Sequence, residues 1–128
     1  MIRKLVVCLF GIGLLSACGT FVPVLDVSEV PPEMRAQALN ISIFTLGGAA
    51  RRPTATNVIG PVEAYSCKHM MTDPPASRAN ALEQLRIKAL GMGADAIFDV
   101  TFDKSGTDVL GTNCWEAVYA AGLAVATN

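Results

Sequence analysis

Alternating apolar and polar residues mark two strands in the first half of the chain. The segment Ile41–Thr45 alternates in this way, and the segment Val58–Tyr65 does so again. A period of two residues is the pattern of a strand with one buried face. We therefore expect two strands over 41–45 and 58–65, joined by a loop that contains residues 47–53.

The next apolar pattern has the period of a helix. Its apolar residues fall on one face at helical spacing: Leu82, Leu85, Ala89 and Met92. Ser77 stands where a helix N-cap is expected, and Gly91 and Gly93 supply a stop at the other end. We predict one helix over 78–92, with its apolar stripe packed on a sheet.

Two more strands are expected after the helix. Over 96–102 apolar residues alternate with polar ones, and the apolar set is Ala96, Phe98, Val100 and Phe102. A polar hairpin loop over 103–113 leads to a last strand over 115–126, in which we expect Trp115 and Tyr119 to lie in the core. The order of elements is ββαββ. The sequence therefore predicts an α+β domain, a small and mainly antiparallel sheet with one packed helix.

The chain begins with a short basic segment and then an apolar one. Arg3 and Lys4 precede the apolar run Leu5–Leu15, which has 11 residues. A membrane-spanning helix needs about 20 residues, so this run is too short to cross a bilayer. It ends in Leu-Ser-Ala-Cys, which resembles a bacterial lipobox. We therefore predict a lipoprotein signal peptide over 1–17 and a lipid anchor on Cys18.

The anchor attaches the protein to a membrane. Three acyl chains form a stable anchor where one is marginal, because each buried methylene contributes about 0.8 kcal/mol. Gly19 rather than an aspartate follows the cysteine, which favours the outer membrane. We expect residues 18–40 to be the lipidated cysteine and a tether, with a short helix over 31–38 as an alternative. Residues 41–128 would form the domain on the periplasmic side.

Composition and charge exclude one class of partner. The chain is 52% hydrophobic and 16% charged, and much of the apolar excess lies in the predicted signal peptide. The net charge is −1, and removal of Arg3 and Lys4 with the signal peptide makes the mature chain more acidic. A weakly acidic domain lacks the basic surface that binds phosphate backbones, so we expect no nucleic-acid partner.

Two of the four cysteines lie in the predicted domain. Cys8 belongs to the predicted signal peptide, and Cys18 would carry the lipid. Cys67 and Cys114 remain as an even pair in an oxidising compartment, where a disulfide is the default expectation. We predict a Cys67–Cys114 disulfide, and we expect the closed loop to stabilise the fold by about 4 kcal/mol.

Cys67 also begins the segment with the most reactive side chains. His69, Met70 and Met71 follow it, and imidazole and thioether groups are donors for Cu(I). A soft-metal site at these three residues is an alternative, although adjacent loop methionines are more often gap-fillers. Ser66 or Cys67 could act as a nucleophile with His69 as its base. Such a pair also needs a third group that orients the base and an oxyanion site, and the sequence indicates neither. We predict no catalytic residues, no bound metal and no cofactor.

Three aspartates are spaced by four residues around the third predicted strand. Asp95, Asp99 and Asp103 have two interpretations, a cation site or a solvated strand face, and we favour the solvated face. Arg51 and Arg52 are interpreted as ordinary loop residues.

The helix-to-strand stretch 81–103 resembles a known family. It contains Gly-Ala-Asp-Ala-Ile at 93–97 and Phe-Asp at 102–103, and it is similar to the YbjQ-type heavy-metal-binding domain family. In that family a helix with such an ending runs directly into a strand that ends in Phe-Asp. The resemblance implies a small α+β domain. It also makes a self-assembling envelope module an alternative, because domains of this type can oligomerise.

The stretches 59–67 and 113–120 resemble the RcsF family of outer-membrane lipoproteins, which sense stress for the Rcs phosphorelay. That family shares the lipobox, a proline-containing tether and a strand-end Ser-Cys that pairs with a cysteine in the last hairpin. The resemblance implies Cys18 as the lipid anchor and Cys67–Cys114 as the structural disulfide.

The same resemblance implies a role without catalysis. A protein of this family would act through contacts with other envelope or outer-membrane proteins. The family's second disulfide would fall near Phe102 and Ala120, and neither is a cysteine here. We therefore expect a stress-sensing, lipid-anchored lipoprotein with one disulfide in its periplasmic domain.

Overall fold

The computed structural model describes residues 24–55, 57–105 and 114–127. A short 3-10 helix, Val27–Glu29, comes first. The remaining elements are two helices, α1 (Pro32–Ala38) and α2 (Arg78–Gly91), and four strands, β1 (Ser42–Thr45), β2 (Asn57–Lys68), β3 (Ala96–Ser105) and β4 (Glu116–Ala126). The predicted signal peptide and Cys18 lie outside the described residues, as does most of the predicted loop over 103–113.

The four strands form one mixed sheet in the order β1-β3-β4-β2. The pairs β2–β4 and β3–β4 are antiparallel, whereas β1 runs parallel to β3. The α+β class, the four strands and the packed helix α2 are confirmed. The expectation of a single helix is wrong, because α1 precedes the ββαββ order and packs against α2. No helix in the described part of the chain is long and apolar enough to cross a membrane.

Helix α2 packs on the face of the sheet that carries small residues. Ser77 begins the helix, and its Oγ accepts a hydrogen bond from the Asn80 N–H at 3.1 Å. The α2 side chains that face the sheet are fully buried: Ala81, Leu85 and Ala89. They meet Val62, Ala64, Val118, Ala120 and Ala124 of the two longest strands. Five of these eight side chains are alanines, two from the helix and three from the sheet, and such small side chains let the two layers approach closely.

Strand β3 changes which face its side chains occupy at Asp99. Ile97 and Val100 lie in the core under α2, whereas Phe98 belongs to a second cluster with Ala96 and Val125. The predicted alternation over 96–102 is therefore wrong. Asp99 has a φ of 54°, in the left-handed region that aspartate tolerates better than most residues, and the pairing of β3 shifts register there with both neighbours.

Gly122 accommodates this bulge from the neighbouring strand β4. A Cβ atom at Gly122 would lie 2.6 Å from Ile97 Cγ2 and 2.9 Å from the Phe98 carbonyl oxygen. Neither distance is compatible with a side chain, so the glycine is required by the close approach of β3.

The segment before β1 is packed instead of extended. Val27 and Ala38 form a small buried cluster with Ile87 of α2, and Arg35 forms a salt bridge with Glu83 at 2.7 Å. The predicted tether over 18–40 is therefore corrected for its described part. The alternative of a short helix over 31–38 is confirmed, and the helix begins one residue later, at Pro32. The physical reason is that Ile87 lies on the side of α2 away from the sheet, where burial of its apolar side chain requires another segment to pack against it.

The predicted core residues of the last strand are also corrected in part. Trp115 is 58% exposed, and Tyr119 is only half-buried. The face of β4 that α2 covers carries Val118, Ala120 and Ala124 instead. The helix packs where the side chains are small, so the larger side chains of β4 lie on the other face.

Candidate functional site

The predicted disulfide is confirmed. Cys67 and Cys114 are joined by a disulfide, with a Cα–Cα distance of 5.4 Å across 47 residues of sequence. Cys67 lies near the end of β2, and Cys114 lies just before β4, which is the antiparallel partner of β2. The adjacent strand ends bring the two thiols together, and Cys114 is almost completely buried.

The turn after β2 holds the residues of the soft-metal alternative. The Asp73 carboxylate accepts hydrogen bonds from the backbone N–H groups of His69 and Met70, at 3.2 and 2.9 Å. His69 Nδ1 lies 3.5 Å from Cys67 Sγ. Met70 and Met71 are 63% and 78% exposed, so their thioethers face solvent. The structure therefore places the imidazole beside the disulfide, at the surface.

Three soft donors do come together at this point. The ligand atoms of Cys67, His69 and Cys114 lie within 4.8 Å of one another. The two sulfur atoms are bonded to each other, however, and a disulfide sulfur is not the thiolate that binds metals. In the oxidised protein, the imidazole is the one remaining strong donor of this cluster.

A cleft opens beside the disulfide. Its volume is about 520 Å³, and it lies between the N-terminal segment 24–28 and the start of α2, with the turn after β2 at one end. Val24, Leu25 and Val27 contribute apolar groups from the N-terminal segment, and Pro74 and Pro75 contribute them from the turn. The cleft exists because the packed N-terminal segment only partly covers this side of α2.

The polar residues of the cleft are joined by hydrogen bonds to one another. Ser66 Oγ accepts from the Ser77 N–H at 3.0 Å, and Gln84 Nε2 donates to Asn80 Oδ1 at 2.7 Å. Gln84 is only 1% exposed, and its Oε1 is buried without a hydrogen-bond partner. In folded proteins such an acceptor nearly always has a partner, so Gln84 is an exception that requires an explanation.

The charged residues that line the cleft are acidic. Asp26 and Asp73 contribute carboxylates, and the lining in the described part of the chain includes no lysine or arginine. The side-chain hydroxyl and the backbone N–H of Ser28 both donate to Asp26 Oδ1, which lowers the pKa of this carboxyl. These hydrogen bonds favour the charged form of Asp26 at neutral pH.

A second polar cluster lies on strand β2, away from the cleft. The Tyr119 hydroxyl donates to Glu63 Oε2 at 2.8 Å, and this bond with the nearby carboxylate raises the pKa of Tyr119 to about 12. Lys88 Nζ donates to the Glu63 carbonyl oxygen at 3.0 Å. Partial burial lowers the pKa of Lys88, against the attraction of the Glu63 carboxylate. These three residues are far apart in sequence, so no sequence pattern indicated the cluster.

The aspartates of the third strand have structural partners. Asp99 pairs with Arg52 at 2.7 Å, and Arg52 also lies over the Phe98 ring. Asp95 accepts from the backbone N–H and the hydroxyl of Thr127, at 2.9 and 2.8 Å. The Asp99 side chain is still 45% exposed, so the solvated face agrees with the structure there, whereas Asp95 is half-buried beside Thr127. Arg52 is more than a loop residue, because it pairs with Asp99. The partners of the two aspartates are protein groups, so they do not form a cation site with each other.

Sequence reasoning anticipated one part of this region and missed the other. The cysteine count indicated the disulfide, whereas Gln84 and Asp26 carried no signal. In the sequence, Gln84 is a polar residue beside the apolar stripe of the helix, which is typical of an exposed position. Asp26 lies in the segment that was predicted to be a tether. Only the packing of the N-terminal segment against α2 brings them to one cleft.

Comparisons with known proteins leave the family open. No family model matches the chain, and no curated protein matches it. A crystal structure of a protein of unknown function from Pediococcus pentosaceus ATCC 25745, which belongs to the DUF74 family, is similar. It is 19% identical, with a TM-score of 0.49 over 69% of this chain and 98% of that chain. The resemblances to the YbjQ-type and RcsF families stay predictions.

Proposed function

We propose that this protein is a lipid-anchored lipoprotein of the outer membrane whose periplasmic domain senses envelope stress through contacts with other envelope proteins. The lipobox that ends at Cys18 supports the anchor. The observation that carries the proposal is the Cys67–Cys114 disulfide, because structural disulfides persist in oxidising compartments such as the periplasm. The two features point independently to an exported protein.

A role without catalysis is supported by the state of the candidate nucleophiles. Cys67 is in the disulfide, and Ser66 Oγ is a buried acceptor for the Ser77 N–H. His69 lies beside Cys67. Asp73 accepts a hydrogen bond from the backbone N–H of His69, so this bond does not orient the imidazole ring. A nucleophile needs an adjacent base that is oriented by a third group.

The anchor is tested by labelling the full chain with radioactive palmitate in a Gram-negative host. We expect the label on the wild-type protein and on Cys8→Ala, and no label on Cys18→Ala. Fractionation should then place the wild-type protein with the outer membrane. Label that persists on Cys18→Ala would refute the anchor.

The sensing role is tested by deletion in the native organism. We expect the deletion strain to lose the response of an envelope-stress reporter, and the wild-type chain to restore it. Cys18→Ala, which folds the same domain without the anchor, should fail to restore the response. An unchanged reporter response in the deletion strain would refute the sensing role and leave the anchor unaffected.

A soft-metal protein is the second candidate, favoured by the close approach of Cys67, His69 and Cys114. Thiolate ligands would first require reduction of the disulfide, with two electrons and two protons supplied by a dithiol that is itself oxidised to a disulfide. Binding of Cu(I) by the oxidised chain would have to use His69, Met70 and Met71. Stoichiometric Cu(I) retained by the oxidised wild type and lost in His69→Ala would favour this candidate.

The third candidate, a self-assembling module, has less support, because the exposed edge strand β2 is poorly suited to pair with another copy. The long strand β2 pairs with β4 on one side only. Pro61 has no N–H group to donate to another strand, and Lys88 already occupies the Glu63 carbonyl oxygen. Proline and charged side chains at a strand edge oppose pairing with another chain.

A further inference from the structure

We propose that the cleft between residues 24–28 and the start of α2 binds a small organic cation through a primary ammonium group. This inference goes beyond the proposed function and is independent of the membrane anchor. It rests on three observations: a buried acceptor without a partner, two carboxylates in the lining, and apolar groups on both sides of the cleft.

The buried acceptor indicates a ligand that donates hydrogen bonds. Gln84 lines the cleft, its Nε2 is used by Asn80, and its Oε1 has no partner. Exchanging the positions of the amide oxygen and nitrogen would still leave one buried polar atom unpaired. Because Oε1 is buried, the proposal requires that the Gln84 amide turn toward the cleft when the ligand binds. A ligand that supplies this donor would satisfy the buried amide oxygen.

The charge of the lining selects a cation over an anion. Asp26 and Asp73 supply two formal negative charges. Among the described lining residues no lysine or arginine opposes them, and His69 is the one basic side chain. The N-terminus of α2, at Ser77, also faces the cleft and contributes a partial positive charge of about one half. Two full charges outweigh this half charge, so the cleft attracts cations at neutral pH.

The chemistry of the acceptors and walls suits an ammonium group on an alkyl chain. The hydrogen bonds to Asp26 use Oδ1 and those to Asp73 use Oδ2, which leaves the second oxygen of each carboxylate available among the described residues. Gln84 Oε1 is a third acceptor in the lining, and an ammonium group donates up to three hydrogen bonds, to whichever of these oxygens it reaches. The apolar wall and the two prolines suit methylene groups, which a hydrated metal ion does not offer. The volume of about 520 Å³ is typical of small-molecule sites.

The experiment compares three probes of the same length on one sample. The oxidised, ¹⁵N-labelled full chain in an uncharged detergent is titrated with 1,5-diaminopentane, with 1,5-pentanediol and with glutarate. We expect saturable shifts of the Gln84 side-chain amide and the Asp73 backbone signals with the diamine. The diol should bind at least about tenfold more weakly, because a charge-assisted hydrogen bond is lost. Glutarate should produce no shift of these signals.

Matched variants assign the binding to the cleft. Asp26→Asn keeps the hydrogen bonds to Ser28 and removes the charge, and we expect it to weaken diamine binding about tenfold. Gln84→Met keeps the volume and removes both the unpaired acceptor and the hydrogen bond to Asn80. Binding should weaken, and the melting temperature should change little because the two effects on stability oppose each other. Asp103→Asn, an exposed carboxylate of β3 outside the cleft, should bind as the wild type does.

Several results would overturn the proposal. Equal binding of the diamine and the diol would show that charge is not recognised, and shifts with glutarate would show an anion site. Undiminished binding by Asp26→Asn would place the diamine elsewhere, and this variant decides the matter if Gln84→Met fails to fold. Shifts of the same signals with Ca²⁺ or Zn²⁺ and none with the diamine would show a metal site instead.

Discussion

The two sides of helix α2 differ in how completely they are packed. On the sheet side, Leu85 and its alanine neighbours are fully buried against the strands. On the opposite side, Ile87 packs with Val27 and Ala38, but the neighbouring Gln84 is buried with an unpaired acceptor. The first side holds the fold together, and the second leaves a polar cleft open. The candidate site therefore lies where packing is incomplete.

The difference follows from what each side meets. The sheet offers a broad surface of small residues from β2, β3 and β4, which matches the helix along its length. The N-terminal segment offers a three-residue 3-10 helix and the seven-residue α1, which together are too short to cover α2. These two short helices bury a few apolar residues of α2 and leave the cleft open beside the disulfide.

The largest expected effect tests the closely packed side. Leu85→Ala should lower the free energy of unfolding by about 2–5 kcal/mol, because the closely packed layers cannot collapse into the cavity. Ile87→Ala, on the other side of the helix, should lower the free energy of unfolding by about 2 kcal/mol, the lower end of that range. Urea unfolding of the oxidised protein, followed by circular dichroism, measures both. Exposed Leu39→Ala is the control and should stay within about 0.5 kcal/mol. Equal losses for Leu85→Ala and Ile87→Ala would contradict the comparison.

The next effect tests how far the cleft side depends on its covalent link. The double variant Cys67→Ser with Cys114→Ser should lose about 4 kcal/mol, because the link closes a long loop and restricts the unfolded chain. Unfolding of the wild type in the presence of a reductant should give a similar loss of stability, because reduction also removes the covalent link. A loss below about 1 kcal/mol by both routes would mean that packing alone holds the strand ends together.

Two glycine substitutions sharpen the comparison on a smaller scale. Gly122→Ala should lose about 1–3 kcal/mol, because its Cβ would collide with Ile97 and the Phe98 carbonyl. Gly91→Ala is the matched control, since its Cβ would meet nothing within 4 Å at the exposed end of α2. It should gain up to about 1 kcal/mol from helix propensity. Similar values for the two variants would mean that β3 and β4 can separate without cost.

The smallest effect is expected on the sheet face that α2 does not cover. The pKa of Tyr119 is raised to about 12 from 10.0, so the protonated hydroxyl is favoured in the folded state. Its contribution to stability is complete below pH 10 and is lost as the pH rises from 10 to 12. Glu63→Gln should move the pKa of Tyr119 back toward 10, and ultraviolet absorbance of the tyrosinate measures it. An unchanged pKa in Glu63→Gln would mean that the carboxylate is not the cause.

Local patterns were enough to predict the elements themselves. The helical spacing of Leu82, Leu85 and Ala89, with Ser77 as N-cap, predicted α2 to within one residue at its end. Alternation predicted four strands, and the count of cysteines predicted the disulfide. These features depend on neighbours in sequence, or on the redox compartment, and therefore need no knowledge of how the layers meet.

The face that each strand presents was decided by tertiary structure. The bulge at Asp99 moves the following side chains to the opposite face, and it forms because Gly122 of another strand makes room for it. Trp115 was predicted in the core on size alone, but α2 packs on the small residues of β4 and leaves the tryptophan 58% exposed. Alternation within one strand carries no information about an insertion that a neighbouring strand accommodates.

The sequence by itself therefore determined the α+β class, the elements from β1 to β4 and the disulfide partners. The parallel pairing of β1 with β3, the packing of residues 24–38 on α2 and the cleft lined by Gln84 were decided only by the tertiary structure. The physical reason is the range of the interactions. Periodicity and caps act between residues a few positions apart, whereas a cleft and its unpaired acceptor arise from segments about sixty residues apart that meet only in the folded chain.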